Sequence, residues 1–395
     1  MKKRAFNSTF PHHDQLLLLG TKDGVSSDEL LLQLSHFGEK VEWEKVISMG
    51  YTHAIIPQFY KTLKQLPEIV PTKHLETLTT LNKEIGFDNI KLSAELITIA
   101  KHLDENGLEY LAIKGPALSQ TLYGDITQRQ ICDLDILVKE EDLITIAKLL
   151  LKMGYNHRLP LSLLADQGFR DLDNDFTFIH PAKKIVVELH WKLFPQRHKM
   201  DLDFRELFKN HADVFIQKQP VKVLSTEHNL LYLSLHASKH VFEQLKWVCD
   251  IDTLLRNNPD IDLEAVYTTA QKLTVQTPFL LALLVSQSLY ETPLPKSIKE
   301  KKTPQLNALL DEALQYFKDD FTTLDEPQKK RIRFLFLQKL NSTKQNYFVA
   351  LFIAAFKPTS VDYIHYQLPE RLNFIYPLLR PLRLLYKYVF KRSLS

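Results

Sequence analysis

Two aspartates one residue apart, Asp133 and Asp135, lead into the apolar run Ile136-Leu137-Val138. On an extended chain alternate side chains share a face, about 6.6 Å apart at roughly 3.3 Å per residue. Two carboxylates so placed, anchored by an apolar strand, suit a pair of divalent cations about 4 Å apart. Mg²⁺ takes one or two carboxylates and leaves its other positions to phosphate oxygens and water. Asp-x-Asp is common by chance, so the apolar context gives it its meaning. Asp171 and Asp173, extended by Asp175, form a rival cluster. Gly168 and Asn174 lie beside them and no apolar run follows directly, so this cluster reads as capping and turn chemistry in a loop. A third carboxylate, Glu188, lies in Val186-Val187-Glu188-Leu189-His190-Trp191. There Glu188 and His190 share one strand face while Val187 and Leu189 share the other. Without context, a glutamate at that place is as readily the solvated side of a hairpin.

The elements needed to position these groups surround them. Tyr110-Leu111-Ala112-Ile113 is of strand length and ends at Lys114-Gly115. Pro116 fits the first position of a helix and Gly124 its C-terminal cap. A second strand lies within Leu134 to Val138. Glu140, Glu141 and Asp142 suit the positive end of a helix carrying Leu143, Ile146, Ala147, Leu150 and Met153, closed by Gly154. Phe176 to Ile179 and Ile185 to His190 read as two more strands, joined by Pro181-Ala182-Lys183-Lys184. This α/β unit is expected over residues 105–192. Around it we expect an N-terminal helical region (1–104), a helical domain capping the cleft (193–325) and a C-terminal helical region with a basic tail (326–395). The flanks support this. Ser26 and Glu29 have capping-box spacing, and Leu75, Leu78, Leu81, Ile85, Leu92, Leu96, Ile99 and Leu103 recur at helical intervals.

Composition excludes several classes. With 45% hydrophobic and 25% charged residues, the chain is globular rather than disordered. Only 10 of 395 residues are glycine, which argues against a glycine-rich dinucleotide loop, a propeller or a turn-dense all-β fold. The 50 basic and 47 acidic residues leave no nucleic-acid footprint. Two cysteines, Cys132 and Cys249, exclude a disulfide framework and suggest a reducing, cytoplasmic setting. No signal-length apolar stretch follows Lys2, Lys3 and Arg4. The run Tyr347 to Phe356 is ten residues, about half of the ~20 that a membrane span needs.

The segments Ile113-Lys114-Gly115-Pro116-Ala117-Leu118, Leu122-Tyr123-Gly124-Asp125, Arg129 and Asp133-Leu134-Asp135-Ile136-Leu137-Val138 together resemble a bacterial nucleotidyltransferase family of the DNA polymerase β-like superfamily. The resemblance continues at Glu188-Leu189-His190-Trp191 and at His236, His240, Trp247 and Asp250. It is weaker around Trp43 and from Leu368 to Leu384. It implies an α+β fold: a polymerase β-like core, a short mixed sheet with helices, embedded in a mainly helical protein. It further implies that Asp133, Asp135 and Glu188 bind metal and are catalytic. Lys114, Gly115, Arg129 and His190 would belong to the nucleotide-binding part, with Lys114 and Arg129 on phosphate oxygens and the helix after Gly115 presenting free N–H groups to anions. Two Mg²⁺ ions and a nucleoside triphosphate, ATP, are the implied cofactors and substrate. Related enzymes usually carry Gly-Ser where this chain has Gly115-Pro116, so a hydroxyl and a backbone amide are both missing here.

The implied reaction is nucleotidyl transfer, AMP from ATP, to a hydroxyl or phosphate on a small molecule, peptide or protein. A kinase using the same groups, or a non-catalytic nucleotide- or protein-binding module, are the alternatives. His236 and His240 have a spacing able to bind zinc, but no third ligand is evident, so they read as packed histidines in a polar network with Lys239 and Asp250. Cys132 reads as a filler residue. The basic tail, Tyr376 to Ser395, is expected to dock on its own protein rather than on an anionic membrane surface.

Overall fold

The computed structural model describes residues 10–22, 24–25, 28–32, 41–157, 159–193, 204–318, 323–340, 352 and 355–387. Its centre is a mixed sheet of seven strands: β1 (Tyr110–Ala112), β2 (Leu134–Val138), β3 (Asn156–His157), β4 (Asp175–His180), β5 (Ile185–His190), β6 (Ala212–Ile216) and β7 (Gln219–Val223). Their order is β3-β4-β5-β2-β1-β7-β6. β2 runs parallel to β5, and β1 and β4 flank these two in antiparallel fashion.

Alternation along the strands divides the apolar side chains between two cores. Tyr110, Ala112, Leu134, Ile136, Val138, Phe176, Phe178, Val187 and Leu189 face one way, onto the Leu143–Lys152 helix and the second half of the long Thr72–Glu105 helix. Leu111, Ile113 and Leu137 face the other way, into the core built by the Thr226–Lys239, Leu245–Asn257 and Gln276–Tyr290 helices. The long helix serves both: Leu78 and Ile85 enter one core, Leu92, Leu96, Ile99 and Leu103 the other. The fold is thus α+β in a mainly helical chain, as the sequence implied.

The β6–β7 hairpin extends the sheet past residue 192. β7 pairs with β1 through Ala112 and Val223. Sequence reading misses it because its turn residues, Gln217 and Lys218, have φ of 48° and 69° without a glycine or asparagine to announce the turn. The acidic cluster also differs from expectation. Asp171 ends a helix (Gln167–Leu172) capped by the Asp166 side chain, Asp173 accepts a hydrogen bond from the Asn174 N–H, and Asp175 opens β4. Ser26, residues 347–351, 353 and 354 of the apolar run, and Lys391 and Arg392 lie outside the described residues. Among the described residues no helix is long and apolar enough to cross a membrane.

The tail helix, Tyr376–Leu385, does dock, but inside out. It buries Tyr376 and turns Arg380 and Arg383 inward to Asp362, leaving Leu378, Leu382 and Leu385 in solvent.

Candidate active site

The register of β2 on β5 sets Asp135 beside Glu188. The register of β4 on β5 sets Asp175 beside His190 and Thr177 beside Glu188. All five therefore lie on one sheet face, the one covered by the helices after β7. Asp133 stands one residue before β2. Gly115 has φ +65°, and a Cβ there would meet the Asp133 carbonyl oxygen at 3.3 Å. Glycine is needed on both counts: it permits the left-handed turn and the close approach of the β1 end to the start of β2.

Asp135 is the hub. Its Oδ1 accepts from Lys114 Nζ at 2.8 Å and from His190 Nε2 at 3.1 Å. Its Oδ2 is buried with no hydrogen-bond partner, a costly state for a carboxylate oxygen. His190 Nε2 lies 3.6 Å from Glu188 Oε2, and its Nδ1 lies 3.2 Å from Asn174 Nδ2. Asp135, Glu188 and His190 offer ligand atoms within 4.8 Å of one another. Burial works against both charges in the Lys114–Asp135 pair, yet mutual attraction prevails. The lysine is held above its ordinary pKa and the aspartate below. Burial likewise opposes the His190 imidazolium, but the bonds to Asp135 and Glu188 outweigh it and push the pKa up to about 9. The Asp133 carboxyl is pushed up to about 6 by burial and by the like charge of Asp135. The Asp175 carboxyl also rises to about 6, through burial, with Glu188 adding to the rise and His190 opposing it.

Asp135, Glu188, His190 and Lys114 are thus gathered at one place, with Gly115 beside them. Asp133 lies close enough to feel the Asp135 and Lys114 charges, but its carboxylate is outside the group of ligand atoms within 4.8 Å of one another. Arg129 has another partner. It is buried, and its Nε lies 3.2 and 3.0 Å from the two oxygens of Asp250, which also accepts from the Tyr123 hydroxyl at 3.0 Å. His236 and His240 pack against each other and against Trp247, with ring centroids 4.8 to 5.2 Å apart. Burial lowers the pKa of both. They form an aromatic cluster, as their missing third ligand suggested.

Two lysines join the site that sequence patterns did not nominate for it. Lys239 ends one helix and Lys246 begins the next. Burial lowers both ammonium groups, Lys246 to about 8; Asp175 and Glu188 offset part of this for the first, Asp250 and Asp133 for the second. The turn between them takes Val241 and Phe242 through φ of 56° and 55°, a costly conformation for a β-branched residue and the kind of strain found at functional sites. Nothing in the local sequence marks that turn. Asp175 was missed because its neighbours suggested a loop, whereas the β4–β5 ladder makes it a strand residue.

A profile of an uncharacterised nucleotidyltransferase family matches residues 39–291, more than half of the chain. The chain belongs to this family. The match spans the whole sheet and the helices that carry Lys239, Lys246 and Asp250. No curated protein matches. A crystal structure of an antigenic nucleotidyltransferase-like protein from Paracoccidioides brasiliensis is similar at 17% identity, covering 53% of this chain and 97% of that one, with a TM-score of 0.32. That likeness is too low to add to the argument.

Proposed function

We propose that this nucleotidyltransferase moves AMP from ATP to a hydroxyl or phosphate acceptor and releases pyrophosphate. The observation that carries the reading is the orphaned, buried Oδ2 of Asp135 in register with Glu188. Hard carboxylate oxygens from Asp133, Asp135 and Glu188 fit Mg²⁺, whereas His190 directs a proton, not a lone pair, at the same carboxylates. These three would hold the two ions expected from the sequence; bound Mg²⁺ neutralises phosphate charge.

The chain's own groups do the rest. Lys114 exchanges Asp135 for phosphate oxygens, acting as a point charge that tolerates the amide lost at Pro116. Lys239 and Lys246 add positive charge from the helices above. Arg129, held by Asp250, positions the segment leading to Asp133 against the helix that carries Lys246. Glu188, 31% exposed at its side chain, accepts the acceptor's proton. The acceptor oxygen bonds to the α-phosphorus, the bond from that phosphorus to the bridging oxygen breaks, and pyrophosphate leaves.

The test is incubation of the full chain with Mg²⁺, a cell lysate and ATP labelled at the α- or the γ-phosphate. Transfer of α-label with pyrophosphate release is expected. Transfer of γ-label with ADP would make the protein a kinase. ATP binding with no transfer of either label would make it a binding module.

A further inference from the structure

The inverted tail helix has the composition of a surface meant to be covered. Leu378, Leu382 and Leu385 follow one another at intervals of four and three residues, which places them on one face of the helix, and Phe374 lies in the 3₁₀ turn just before it. Phe374, Leu378, Leu382 and Leu385 are 73%, 67%, 60% and 54% exposed, and Tyr386 beyond them is 59% exposed. A single exposed leucine is ordinary; an aligned row of three, about 10 Å long at 1.5 Å per residue, with exposed aromatics on either side, is not. The opposite face is fixed. Arg380 Nη1 and Arg383 Nε lie 2.8 and 2.6 Å from the two oxygens of the buried Asp362, and Thr359 Oγ1 accepts from Arg380 at 2.8 Å. The helix therefore cannot roll its leucines inward without stripping a buried carboxylate of both its arginines.

We infer that the Phe374–Tyr386 segment is a docking surface for an anionic lipid bilayer. Charge selects the occupant. Arg380 and Arg383 are taken up by Asp362, but residues 371–395 also hold Arg371 and Lys387, exposed near the two ends of the row, and then Lys391 and Arg392, with neither aspartate nor glutamate among them. A second copy would bring the same cations against these. A single helix also presents a convex ridge, with Phe374 and Tyr386 at its ends, which suits the plane of the headgroup region. Tyr363 and Tyr376, the ring pair beneath it, belong to the core on the sheet face away from the carboxylates. The surface therefore leaves the proposed cleft open to solution.

Co-sedimentation of the full chain with vesicles tests this. We expect binding to phosphatidylcholine mixed with phosphatidylglycerol, little binding to phosphatidylcholine alone, and weakening as salt is raised. Leu378→Glu and Leu382→Glu change exposed side chains, so the thermal midpoint and ATP binding should stay as they are while vesicle affinity falls about tenfold or more for each. Equal binding to both vesicle types, no binding to either, or full binding by the double variant would overturn the inference. So would a concentration-dependent dimer of the wild-type chain that Leu382→Glu dissolves, or a protein partner that saturates this face and excludes vesicles.

Discussion

Replacing Asp135 with asparagine preserves shape and removes one charge. If repulsion from Asp133 were the only consideration, the metal-free protein would be unchanged or slightly more stable. The structure reverses that sign. Asp135 carries the Lys114 ammonium at 2.8 Å and His190 at 3.1 Å, all three groups buried or nearly so. Removing one partner of a buried ion pair typically costs about 3–5 kcal/mol, because the other is left without compensation. Asparagine still offers one acceptor oxygen and relieves Asp133, so the low end, about 3 kcal/mol, is appropriate. For 395 residues, an unfolding entropy of about 2.1 cal/mol/K per residue gives about 0.8 kcal/mol/K in all. The midpoint should therefore fall by about 4 °C in a chelated, metal-free thermal scan. Calorimetric titration with ATP and Mg²⁺ should show no Mg²⁺-dependent binding in the same variant. Adding Lys114→Met to Asp135→Asn should cost less than the sum of the two, since the pair is already broken. A midpoint that stays put or rises, with ATP binding intact, would refute both the pairing and the proposed site.

Four further outcomes follow from side-chain surroundings. Lys114→Met should weaken ATP about ten- to a hundredfold and AMP much less, read by equilibrium binding; equal weakening of both would make Lys114 a purely structural partner of Asp135. Asp171→Asn and Asp173→Asn should stay within about 1 kcal/mol of wild type and bind nucleotide normally. Asp175→Asn should differ: a carboxyl raised to about 6 costs stability where it is ionised, from about pH 4 upward and fully above 6. The metal-free Asp175→Asn variant should therefore gain over wild type at pH 8, by up to about 3 kcal/mol, and gain nothing at pH 3. In native protein one thiol should react with maleimide, the exposed Cys132, while Cys249 waits for unfolding. It is buried against the Tyr290 hydroxyl, and burial pushes its thiol up to about 12. Two rapidly labelled thiols would contradict that packing.

Local periodicity made the four central strands, the Gly115 turn and the two leading carboxylates legible, because each is specified within a few residues of itself. The site's remaining members depend on pairings that local sequence does not encode. Glu188 reaches Asp135 only through the parallel register of β2 on β5, and Asp175 reaches His190 only through the next ladder. Arg129 shows the converse. Its place in the motif suggested phosphate, but Asp250, 121 residues later, takes its guanidinium. The tail failed for a different reason. Alternating leucine and arginine predicts which side chains share a face, but burial of Asp362 decides which face turns inward.

Lys114 and His190 explain how so many carboxylates share one sheet face in a folded, metal-free chain. Burial, and after it the like charges of their neighbours, opposes ionisation of these carboxylates, as the raised Asp133 and Asp175 carboxyls indicate. One permanent cation and one imidazolium raised to about 9 offset part of that opposition. The two then differ in what they are free to do. His190 is fixed from its far side by Asn174 and stays with Asp135. Lys114 sits at a strand end beside the left-handed Gly115 turn, and among the described residues Asp135 is its ion-pair partner. In the proposed reaction, anything that satisfies Asp135 from the Oδ2 side releases Lys114 toward the phosphates. In that proposal one side chain serves as stabilising counter-charge without substrate and as phosphate ligand with it. In the same proposal Lys114 makes up for the amide and hydroxyl absent at Pro116, where the resemblance implies a serine.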